Sequence, residues 1–216
     1  MRINDGIKYL VQFLKEEQWK DGSWRFPFET GISTDCYMII LLRSLEINDE
    51  KLIHKLAERI LSKQEKDGTW KLYHDEEGGN VTATLEAYYA LLYSGLVKKE
   101  QLRKAKSFIL RSGGLEKVHM FTKFMLAMTG QQKWPKYFPI PLEFILLPPN
   151  SPIHFYQMSV YGRANLLPLM ILAERKFQLR TEQSPDLTEF AGREEAIFPE
   201  EWRSLQTFLK KAAIFP

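Results

Sequence analysis

Few polar constellations in this chain are spaced for chemistry. His74, Asp75, Glu76 and Glu77 stand together just before Gly78 and Gly79. A charge run beside turn-forming glycines reads as a solvated loop rather than an acid–base centre. His54, His74, His119 and His154 have none of the spacings that gather imidazoles around a metal ion. Asp35 and Cys36 are both ligating types, but adjacent ligands without a placed histidine make a poor site. Cys36 is the only cysteine, which excludes an internal disulfide and a cysteine-based zinc cage. No phosphate-binding loop, Gly-x-Ser-x-Gly elbow or dinucleotide-binding glycine pattern occurs.

The strongest pattern is a repeat. Gln18-Trp19-Lys20-Asp21-Gly22-Ser23-Trp24 returns as Gln64-Glu65-Lys66-Asp67-Gly68-Thr69-Trp70, in the frame Q-x-K-D-G-[ST]-W. Each residue type has a structural use. A glutamine closing a helix can donate its amide to the unpaired carbonyls of the last turn. Asp-Gly makes a tight turn, with the glycine free to take positive φ. The tryptophan can then fold back over the helix end. Gln18, Gly22, Trp24, Gln64, Gly68 and Trp70 are therefore expected to staple corners rather than to react.

The elements around these frames read as helices of two kinds. Ile7, Leu10, Val11 and Leu14 precede the first frame on one face, with Asp5 as a candidate N-cap. Leu52, Ile53, Leu56, Ile60 and Leu61 precede the second, with Asp49 as cap. After each frame comes a helix apolar on nearly every side, around Tyr37–Leu42 and Ala83–Leu92. One-faced helices lie outside and all-apolar helices are buried, so outer and inner helices alternate. A degenerate third unit follows, with Ala105–Ser112 amphipathic and Met120–Met128 buried. Six prolines then break residues 134–152. A long helix is expected from Phe155 to Arg175, a polar connector after residue 180, and a last helix over Glu200–Ala213. The expected fold is all-α, an α/α toroid with too few repeats to close its ring. Residues 1–180 form its toroidal part and 181–216 a linker with a final helix.

Composition narrows the function classes. At 216 residues and 44% hydrophobic, the chain can bury a sizeable core. Thirty basic against 27 acidic side chains give a net charge of +3 without any Lys/Arg block, so no nucleic-acid partner is expected. The N-terminal stretch is amphipathic and charged, unlike a signal peptide. No apolar run reaches the ~18 residues of a spanning helix. The nearest, Tyr137–Leu147, is broken by Pro139, Pro141 and Glu143. A reducing cytoplasm is the simplest compartment.

The two repeated frames resemble the QW motif of squalene–hopene-type, class II triterpene cyclases, in their N-terminal part. The likeness continues through GNVTATLEAYYAL (79–91), FILRSGGL (108–115), FTKFMLA (121–127) and YGRANLLP (161–168), in the family's order. FETG (28–31) and YGR (161–163) look more like the sporulenol synthase, or tetraprenyl-β-curcumene cyclase, branch. This resemblance implies protonation of a terminal alkene and cyclisation of the cation in a dry pocket, without metal, nucleotide or other cofactor. The family's acid is an Asp-x-Asp-Asp motif, which this sequence lacks; no catalytic residue is expected in the chain. Its part would be cavity wall, with aromatic faces steadying passing cations. By motif position Tyr161 and Phe121 match substrate-lining aromatics. Tyr37 falls where hopene cyclases carry a glutamate supporting the acid, and Met125 replaces another aromatic. The partners implied are an acyclic or monocyclic polyprene, the C-terminal catalytic half and, for the whole enzyme, a monotopic membrane surface. The apolar stretch Phe138–Pro152 is either surface near a lipid entrance or a buried connection. A helical binding or scaffold module without activity remains the alternative.

Overall fold

A computed structural model describes residues 3–25, 31–134, 140 and 142–190. They contain seven α-helices joined by 3-10 turns, and no strand occurs among the described residues. The chain divides into residues 1–30 and residues 31–216.

The first unit is helix α1 (Ile3–Glu16) and the turn after it. Ile7, Leu10, Val11 and Leu14 lie along α1 as expected, but none of its residues is buried. Asp5 is not the N-cap: it lies inside the first turn, where its charge still favours the helix N-terminus.

The second unit holds α2 (Ser33–Ser44), α3 (Glu50–Ser62), α4 (Val81–Ser94), α5 (Arg103–Arg111), α6 (Met120–Met128) and α7 (Val160–Glu174). Asp49 caps α3, its carboxylate accepting from the Leu52 N–H at 3.0 Å. Ile53, Ala57 and Ile60 then bury one face of that helix. Asn80 caps α4 by accepting from the Thr82 and Ala83 N–H groups, and Gly95 ends it with φ +79°. Every side of α4 is buried from Ala83 to Leu91, which is the inner helix its composition required. Against expectation, α2 is not buried all round. Asp35, Cys36, Ile39, Ile40 and Arg43 face inward, toward α3 and α4, while Thr34, Met38, Leu41 and Leu45 line an open side.

Arg43 locks these helices together from a buried position. Its guanidinium donates to the Tyr93 and Ser94 carbonyls at the end of α4, at 3.2 and 2.8 Å. Nη1 also reaches Asn48 Oδ1, and both Nη atoms pair with Glu50 in the first turn of α3. One side chain thus satisfies the terminal carbonyls of one helix and fixes the start of another.

Apolar side chains form two clusters. The first runs from α2 through α6 and includes Trp70, Tyr88 and Leu126. The second gathers Phe124, Trp134, Phe144, Leu147, Phe155, Met170 and Ala173. The helix expected from Phe155 starts later. A 3-10 turn covers Phe155–Gln157, Met158 is extended, and Ser159 caps α7 by accepting from the Gly162 N–H at 3.0 Å. A serine able to cap redirects the chain there despite apolar residues upstream. The described part of the proline-rich stretch is mixed: Phe144 and Leu147 are buried in the second cluster, whereas Leu146 and residues 148–150 are exposed. Residues 181–190 are polar but not a free connector, because they strap the first cluster. Leu187 and Phe190 are buried in it, and the Leu187 N–H donates to Gln131 Oε1 at 3.1 Å. The helix expected over Glu200–Ala213 lies outside the described residues.

Candidate functional site

The two frames build the same corner twice. In the first, Trp19 N–H donates to the Ser23 carbonyl and Gly22 N–H to the Trp19 carbonyl; Glu65, Thr69 and Gly68 repeat these bonds in the second. Asp21 accepts from the Ser23 hydroxyl and N–H, as Asp67 does from those of Thr69. These bonds, the hydroxyl one foremost, hold both carboxyls below the ordinary aspartate value. Gly22 and Gly68 take φ +82° and +86°, a left-handed turn that suits glycine.

The donors differ from the expected assignment. Gln18 and Gln64 donate their amides to the Gly22 and Gly68 carbonyls, within the turn. The helix carbonyls are met by the indoles instead: Trp24 Nε1 donates to Leu14 and Trp70 Nε1 to Ile60, both at 2.7 Å. The tryptophan therefore both covers and caps its helix. The copies part in burial, since Trp70 is 0% exposed and Trp24 49%.

Three of the remaining candidates sit on or beside inner helices. Tyr37, on α2, is half-buried, and its hydroxyl donates to Glu86 Oε1 at 2.7 Å. Thr122, on α6, donates to the same oxygen at 2.6 Å, and Ser33 donates to Oε2 at 2.7 Å. Burial, reinforced by the Glu86 charge, pushes the Tyr37 hydroxyl well above the ordinary phenol value. Glu86 was not among the expected site residues. The signal was present, because it is the one acid in a helix otherwise apolar on every side. Phe121 directly precedes Thr122 and is mostly exposed, stacked on His119 and edge-on to Phe124. Tyr37 and the start of α6 are thus brought together through Glu86. Tyr161 stands apart in the second turn-forming position of α7, 81% exposed, and among the described residues its side chain has no hydrogen bond or ring contact. Met125 is buried in the first cluster.

His74, Asp75 and Glu77 are exposed, as in a solvated turn, but Glu76 is built into it. Glu76 accepts from the Leu72 and Tyr73 N–H groups and from Asn80 Nδ2. Burial would raise its carboxyl, but these bonds outweigh burial and lower it. It organises a turn. Among the described residues no group of three or more His, Cys, Asp or Glu is placed to hold a metal ion, and no helix is long and apolar enough to cross a membrane.

Residues 7–215 match the squalene-hopene cyclase N-terminal domain. The chain belongs to that family. Its α/α-toroid-type architecture, without strands among the described residues, is the one expected from the sequence. It is 42% identical over 176 residues to the sporulenol synthase of Bacillus subtilis, covering 80% of this chain and 28% of that protein. It is 30% identical to the squalene–hopene cyclase of Alicyclobacillus acidocaldarius, over 81% of this chain and 27% of the relative. The dammaradiene synthase of Dryopteris crassirhizoma is likewise 30% identical, over 90% and 29%. The chain therefore spans little more than a quarter of the length of these relatives.

Proposed function

We propose that this family member is the N-terminal part of a polyprenyl cyclase of sporulenol synthase or squalene–hopene type, supplying wall to the cavity in which a polyprene cyclises. The observation that carries the reading is the pair of open aromatics, Phe121 and Tyr161, at the starts of α6, which is otherwise largely packed, and of α7, which buries Met170 and Ala173. Single exposed rings are ordinary on a protein surface, but at positions matching the family's substrate-lining aromatics they suit a face that an apolar ligand or further chain covers. The substrate would be a C30 or C35 polyprene, acyclic or monocyclic. Proton donation would come from an Asp-x-Asp-Asp motif in the C-terminal part, because this sequence contains none. The assembled enzyme would draw its water-insoluble substrate from a membrane surface as a cytoplasmic, monotopic protein.

The test joins this chain to the C-terminal portion of the Bacillus subtilis sporulenol synthase and supplies squalene or tetraprenyl-β-curcumene. Mass spectrometry should find cyclised product with the fusion and none with the chain alone. Product from the chain alone, above a heat-killed control, would refute the division of labour. A well-folded fusion that converts neither substrate would favour the scaffold alternative.

A further inference from the structure

The least economical feature of the second unit is Glu86. It is 2% exposed, and hydroxyls of Ser33, Tyr37 and Thr122 fill both its oxygens. Among the described residues no Lys, Arg or His forms an ion pair with it. A buried carboxylate without a countercharge is expensive, and a link between α2, α4 and α6 could be made by a neutral amide at lower cost. The charge calls for a use beyond cross-linking.

Its three donors are not equivalent. Ser33 and Thr122 end at their hydroxyls, whereas the Tyr37 hydroxyl is joined to an aromatic ring, on a residue partly exposed and otherwise packed against the first cluster. A phenol donating to an ionised carboxylate makes a strong, charge-assisted bond. That bond draws the hydrogen toward the acid and leaves more electron density on oxygen and ring. Attraction of a cation to an aromatic face grows with the negative charge on that face.

We propose that Glu86 is a positioning residue that converts Tyr37 into an electron-rich π donor for an apolar cation. The ligand class is a cation with no N–H to donate, such as a tertiary carbocation or a quaternary ammonium carrying a hydrocarbon chain. Phe121, next to Thr122 in the same network, offers a second, unactivated ring. The proposal rests on the cavity-wall reading and goes further by assigning one ring its electrostatic character and the acid that confers it.

Two probes test it by calorimetry on the whole chain: geranylgeranyl-trimethylammonium below its micellar concentration, and the isostere with carbon in place of the charged nitrogen. Wild type should prefer the cation. Tyr37→Phe keeps the ring and the Glu86 charge but loses the bond, and it should cut that preference about three- to tenfold. Glu86→Gln should cut it to a similar extent, with the neutral isostere bound as in wild type by both variants. Circular dichroism confirms that each is folded, and Tyr37→Phe carries the test if Glu86→Gln is not. A plain Coulomb field from Glu86 makes the opposite forecast, because Tyr37→Phe would leave the carboxylate less compensated and hold or raise the preference. That result, or equal binding of both probes by wild type, overturns the proposal while leaving the cavity wall intact. Binding of neither probe also overturns the proposal, while the cavity-wall reading stands or falls with the fusion enzyme.

Discussion

Trp24 and Trp70 make the same indole bond to the last turn of their helices, yet only Trp70 is enclosed. Their contributions to stability should therefore differ. Trp70→Ala removes a fully buried aromatic and should cost ~3–5 kcal/mol. Trp24→Ala loses one hydrogen bond and the covered half of the ring, and should cost less, about 1–3 kcal/mol. Urea denaturation of the two variants measures this contrast, and equal losses would show that burial is not what separates the corners. The repeat itself was plain in the sequence, since Asp-Gly and the recurring tryptophan dictate a turn and a cover. Which N–H reaches which carbonyl was not, because glutamine and tryptophan each carry a donor and only the folded turn sets their reach. Glu86 was legible in principle as a lone acid in an apolar helix. Its partners were not, being 53, 49 and 36 positions away in sequence.

At the scale of elements, local chemistry fixed most boundaries. Asp49 marks the start of α3 by residue type alone, while the Asn80 cap and the Gly95 end of α4 are seen in the folded chain. The open side of α2 was hidden because an all-apolar helix looks the same whether its cover lies in this chain or elsewhere. The strap over residues 181–190 was hidden for the opposite reason: its sequence is polar, and only Leu187 and Phe190 reach the core. Glu189 fastens it, accepting from Tyr88 at 2.9 Å and pairing with Lys106 at 2.6 Å and Lys99 at 3.6 Å. Partial burial would raise its carboxyl, but the bonds from Lys106 and Tyr88 and the two lysine charges lower it. A folded value below the unfolded one gives stability that is complete above the ordinary carboxylate pKa, near ~4.3. That contribution is lost as pH falls through the folded value. The melting temperature of wild type should therefore exceed that of Glu189→Gln at neutral pH, with the gap closing below about pH 4. A gap independent of pH would show that the charge is not what fastens the strap.

For the whole molecule, Tyr161 separates stability from function. At 81% exposure, Tyr161→Ala should leave the melting temperature of this chain almost unchanged, within about 0.5 kcal/mol of stability. In the fusion enzyme the same change should slow turnover about tenfold or release prematurely terminated products, since a cation–π face is worth about 1–2 kcal/mol. Tyr161→Phe and Tyr161→Trp should preserve cyclisation. Normal turnover by Tyr161→Ala would remove this residue from the cavity wall.

The strap also sets an order of events during synthesis. Tyr88 and Glu189 bond across 101 positions of chain, so α4 leaves the ribosome long before the residues that seal it. At about 5–20 residues per second, the Tyr88 edge and the seat of Phe190 wait roughly 5–20 s for their cover. Gly114 narrows that seat further: a Cβ there would lie 2.5 Å from the Phe190 carbonyl oxygen. A nascent chain stalled before Leu187 should thus recruit holding chaperones that one stalled well past Phe190 no longer needs. Closure of the inner layer is a late, C-terminal step in the birth of this unit.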